Sequence, residues 1–223
     1  MVFVYYFFTN IIVDNGAIYV VILFEILILY QIWWFLKRNR RKIEGILYDE
    51  CDAKLSLVVF NIMNDNEKNY LLKAQALAMT GDDIAIDVKK VPIKLLCLLL
   101  DIYVDIYLNT GDVNPFLNAL SAINEEFKKG YLPKSTLKKL NKKIQKSKSI
   151  VGLSEDKTLR ENLINKELNT THIYRRVLLN LMLAREAIRE NNLEEAKIRL
   201  NLVYDKAPRM DASNKAKEML KNI

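Results

Sequence analysis

Few residues in this chain have the types and spacing that chemistry requires. Its 223 residues hold one histidine, His172, and two cysteines, Cys51 and Cys97. A Ser–His or Cys–His nucleophile needs a base held beside it. His172 stands in Asn169-Thr170-Thr171-His172, the polar run that opens a helix, which gives it a capping or surface role. Two cysteines and one histidine do not supply zinc-ligand spacings. Each cysteine falls on a helical pattern, as a small core residue of a reducing compartment does. No glycine-rich phosphate loop follows a strand-like run. The carboxylates Asp101 and Asp105 lie four residues apart, on one face of a helix. They could share a cation or a proton, but such a pair on a helix flank is ordinarily just solvated. The sequence therefore points to a non-enzyme, with no catalytic residues, cofactor or metal.

Residues 17–36, AIYVVILFEILILYQIWWFL, dominate the organisation of the chain. Twenty helical residues reach about 30 Å, the thickness of a bilayer's hydrocarbon core. Glu25 interrupts the run, at about 2.5–3.5 kcal/mol on insertion scales, which the apolar neighbours outweigh at about −0.3 to −0.6 kcal/mol each. It reads either as a tolerated carboxyl or as a contact for another membrane helix. Trp33 and Trp34 fall where an interfacial aromatic belt belongs. Lys37, Arg38, Arg40, Arg41 and Lys42 follow at once, whereas residues 1–36 contain no Lys or Arg. This charge asymmetry predicts an uncleaved single-pass anchor, with residues 1–16 outside and the rest cytoplasmic. Asp14-Asn15-Gly16 separates the anchor from a shorter apolar segment over 1–13, which lies at the outer interface or extends the anchor helix.

Glycine (6) and proline (4) are too scarce for a turn-rich β fold. Beyond the basic juxtamembrane cluster at 37–42, the spacing predicts helices throughout. A helical hairpin region covers 43–127, with helices over 43–63, 67–80, 92–109 and 114–128. A short helix over 83–90 fits between them. Gly81 is placed as a left-handed end residue, and Pro92 as the first-turn residue of a central helix that is apolar nearly all round. Residues 128–154 form a basic linker or helix. The stretch 128–149 is lysine-rich and holds no acidic residue, so its positive charge, within a net +7, can be a solvated face or a surface for anionic lipid through Lys138, Lys139, Lys142 and Lys143. Nucleic acid is disfavoured, because no aromatic interleaving beyond Tyr131 and no helix-turn-helix context accompanies the lysines.

The C-terminal unit, 155–223, carries the one family likeness. Val177–Arg209, VLLNLMLAREAIRENNLEEAKIRLNLVYDKAPR, resembles a tetratricopeptide repeat. Leu183-Ala184 stand at the aliphatic and small positions of a first helix and Asn191 at the turn. Ala196, Leu200 and Pro208 stand at the small, bulky and closing positions of a second. Ala187 departs from the pattern, which often has an aromatic there. With the anchor read from hydropathy and charge, the resemblance implies an all-α fold: a transmembrane helix followed by a TPR-like stack of antiparallel helical hairpins, closed by an end helix over 210–222. An irregular α bundle is the alternative architecture. The resemblance also implies an adaptor that holds a peptide or helix of a protein partner in a concave groove. The alternative function is a structural subunit of a membrane complex, contacting a partner helix through Glu25.

Overall fold

Leucine spacing and caps divide the chain into helices. The computed structural model describes residues 21–31, 44–62, 66–82, 86–129, 133–153 and 158–223, which fall into two compact units, 1–43 and 44–223. All regular structure in the described residues is helical. In the second unit we number the α-helices α1 (Ala53–Ile62), α2 (Glu67–Thr80), α3 (Leu96–Thr110), α4 (Asn114–Lys129), α5 (Lys134–Ile150), α6 (Leu159–Leu168), α7 (Ile173–Arg189), α8 (Leu193–Lys206) and α9 (Asp211–Lys221).

The described part of the first unit is one helical stretch, 21–31, in which every side chain from Ile22 to Tyr30 is exposed. Among the described residues no helix is long and apolar enough to cross a membrane. The remainder of the expected span, 17–20 and 32–36 with Trp33 and Trp34, lies outside the described residues, as do Lys37, Arg38, Arg40, Arg41 and Lys42.

In the second unit α3 is the hub, packing against α2, α4, α5 and α7. Leu99, Leu100, Ile102 and Leu108 are wholly buried, as expected of a helix apolar on nearly every side. Its start differs from the expectation drawn from Pro92: residues 93–95 form a 3-10 turn and the α-helix begins at Leu96. The short helix expected over 83–90 is a 3-10 turn at Val88–Lys90, and 83–85 lie outside the described residues. Gly111 ends α3 in the left-handed region, φ 80°, and Arg185 of α7 donates to the freed carbonyls of Leu108 (3.0 Å) and Asn109 (2.7 Å). Gly81 ends α2 at φ 92°, and a Cβ there would come within 3.1 Å of the Asp211 carboxyl carbon. The last helix thus meets the C-terminal end of α2.

Continuous periodicity over 43–63 predicts one helix, but the chain breaks it. A helical stretch at 44–48 ends, Cys51 takes a left-handed backbone (φ 54°), and α1 starts afresh. The cause is Asp52. Its buried carboxylate accepts the Leu55 N–H at 3.0 Å, capping α1, and pairs with Arg209 from 157 residues away. Burial pushes this carboxyl up, but the Leu55 N–H and the Arg209 guanidinium more than reverse that, so it titrates below the usual carboxylate range. Glu195 is lowered in the same way: burial opposes, and Arg199 and Arg160 prevail.

Both groups bind protons more weakly folded than unfolded. Their stabilising contribution is complete above the unfolded carboxylate pKa and is lost as pH falls through the folded one. The urea midpoint should therefore drop between neutral pH and about pH 3. Asp52→Asn should flatten that dependence, and an unchanged slope in the variant would remove Asp52 as a contributor.

Candidate functional site

The most concentrated polar chemistry is a buried node where α2, α3 and α7 meet the helical stretch before α1. Asp105, fully buried on α3, receives Arg175 Nε on Oδ1 (3.0 Å) and Arg175 Nη2 on Oδ2 (2.8 Å). The Tyr174 hydroxyl and Gln75 Nε2 (2.8 Å) also donate to Oδ2. Gln75 Nε2 reaches the Tyr174 oxygen as well, at 2.6 Å, and Tyr48 donates its hydroxyl to Gln75 Oε1 at 2.9 Å. Burial raises the Asp105 carboxyl above its usual range against the pull of Arg175 and Tyr174. For Arg175 the balance falls the other way: burial disfavours the cation, and Asp105 more than restores it. Tyr174 and Tyr48 are both raised, first by burial and then by Asp105, so neither supplies a phenolate.

This arrangement corrects the expectation of a solvated Asp101–Asp105 pair. Asp105 lies inside, with four donors on its two oxygens and no exposure to solvent. Only Asp101 sits at the rim, bound by Arg175 Nη1 (3.2 Å) and Lys143 Nζ (2.5 Å). The pair shares a guanidinium, and the node acts as an internal lock between helices. Sequence reading missed its other members. The available signal was a carboxylate in the middle of an apolar helix, which needs a cationic partner from elsewhere in the fold.

His172 occupies the N-cap position of α7 without donating or accepting a side-chain cap bond. Its exposed ring lies 5.2 Å from that of Tyr48 and 3.7 Å from the Asp49 carboxylate. Cys51 is buried and its thiol is pushed up to about 12 by burial first and Asp49 second, which keeps it protonated. Cys97 is a half-buried free thiol. Among the described residues no three His, Cys, Asp or Glu side chains gather as a metal site.

The residues named for the repeat resemblance lie together in the α7–α8 hairpin. Leu183, Ala184, Ala196 and Leu200 are buried at its interface, Asn191 turns the chain at φ 57°, and Pro208 follows the end of α8. Ala187 is also wholly buried, so its small side chain sits where an aromatic ring would not fit without rearrangement. Beside this hairpin, Arg199 ties Asn180 (2.8 Å), Glu195 (2.9 Å) and Glu167 (3.2 Å) together.

Among the described residues, two open surfaces bear on binding. A groove of about 660 Å³ runs along α2, lined by Asn66, Glu67, Tyr70, Lys73, Ala74 and Leu77, with the Tyr70 ring exposed. The second surface is the outer side of α5. The structure places Lys138, Lys139 and Lys142 there, exposed, but turns Lys143 inward to Asp101. Glu25 is exposed within the helix at 21–31. No known family model, curated protein or solved structure matches the chain.

Proposed function

We propose that this protein is a single-pass membrane protein whose helical domain is a non-catalytic adaptor for a protein partner. The observation that carries the membrane part is a helix apolar on nearly every side, interrupted by Glu25, whose side chains from Ile22 to Tyr30 stand exposed. In water such a surface costs free energy over most of its circumference, and lipid removes that cost. The basic cluster at 37–42 orients the anchor with the C-terminal domain in the cytoplasm. Support for the adaptor part comes from the polar node, whose central groups Asp105, Tyr174 and Gln75 are buried and bonded to one another, and from the α2 groove, which is lined by Tyr70, Ala74 and Leu77 on one face for a peptide or helix. The α7–α9 region is the TPR-like part of the stack. Glu25 favours a second reading, a structural subunit that contacts another membrane helix through this carboxyl.

Alkaline extraction of membranes tests the anchor: the chain should stay in the pellet, and release into the supernatant would overturn the reading. A photo-crosslinking side chain substituted at Tyr70 or at Glu25 in intact cells separates the two functions. A discrete adduct from position 70 that survives Glu25→Leu supports the adaptor. Adducts from position 25 alone would replace it with the structural subunit.

A further inference from the structure

On α5 the core-facing residues are Leu140, Ile144 and Ser147. At 3.6 residues per turn, Lys134, Lys138, Lys139, Lys142 and Lys146 fall within an arc of about 140° on the opposite side, in a row about 18 Å long. All five are exposed, and none pairs with a carboxylate among the described residues. The row differs from the one read from sequence. Lys143 leaves it for Asp101, while Lys134 and Lys146 join it. The positive field extends to α6, where half-buried Lys166 is lowered from the usual lysine value, first by burial and then by Arg175, Lys143 and Lys146. Asp101 offsets part of this field at Lys143 and Arg175, but the five outward lysines have no such neighbour among the described residues, an arrangement that costs repulsion unless an anionic surface is brought to it.

We propose that the outer face of α5 docks on an anionic bilayer surface through Lys134, Lys138, Lys139, Lys142 and Lys146. This inference rests on the membrane reading, since tethering holds the row at high effective concentration near headgroups. A straight row on one helix suits a plane of phosphates. A nucleic-acid strand would call for aromatic rings on which bases stack, and residues 134–149 contain none.

The test uses the full chain reconstituted in lipid discs, with an uncharged amine-acylating reagent and mass spectrometry to follow each lysine. In discs containing phosphatidylserine, Lys138, Lys142 and Lys146 should react about tenfold more slowly than in phosphatidylcholine discs. The protection should fade as salt is raised, and exposed Lys197 and Lys217, on α8 and α9, should react alike in both. The triple variant Lys138→Glu, Lys142→Glu, Lys146→Glu should keep its circular dichroism and lose the protection of Lys134 and Lys139. Equal rates in both discs, with the chain integrated, overturn the docking alone. Protection by a single-stranded RNA in neutral discs, without any lipid effect, overturns it in favour of nucleic acid. A chain that fails to enter discs overturns the docking together with the anchor.

Discussion

Replacing Asp105 by alanine is expected to destabilise the folded domain by about 3–5 kcal/mol, because it leaves the Arg175 guanidinium without its buried counter-charge. Arg175 donates twice to this carboxylate, and Tyr174 and Gln75 lose an acceptor in the same step. Asp105→Asn should lie between, since an amide keeps the shape and one acceptor but no charge. The informative variant is the double replacement Asp105→Leu, Arg175→Met, which removes both charges with little change of volume. It should cost less than Arg175→Met alone, because neither partner is stranded. Urea unfolding followed by circular dichroism reads all four. Additive losses in the double variant would mean that the two side chains do not act as a pair.

The second large effect belongs to Leu200, wholly buried on α8 against α7. Leu200→Ala should cost about 2–5 kcal/mol through lost burial and the cavity left behind. Ile198, two residues away on the same helix, is 67% exposed. Its replacement by alanine should change stability by no more than about 0.5 kcal/mol. The same denaturation curves measure both. Equal losses at the two positions would contradict the α7–α8 packing and the small-residue interface built around Ala184 and Ala196.

Much of this fold was legible from local chemistry. The left-handed end read at Gly81 coincides with the end of α2, at φ 92°, because glycine alone takes that backbone without a Cβ penalty. The central place of α3 followed from an apolar surface too wide for any position but the middle. Over 43–63 the reading slipped because of a distant partner. The break at Cys51 gives Asp52 its place as the cap of α1 and its ion pair with Arg209, and no periodicity within 43–63 reveals a partner 157 residues on.

The candidate sites divide along the same line. The lysine-rich, acid-free composition of 128–149 and the apolar run of 17–36 are properties of the sequence alone, since charge and hydropathy are carried by each residue wherever the chain goes. Which lysines face outward was decided by the tertiary structure, because Asp101 on α3 captures Lys143 and leaves its neighbours exposed. The node likewise depends on the fold. Tyr48, Gln75, Asp105 and Arg175 come from four separate helical segments, and burial gives their hydrogen bonds a weight that an open chain in water does not provide.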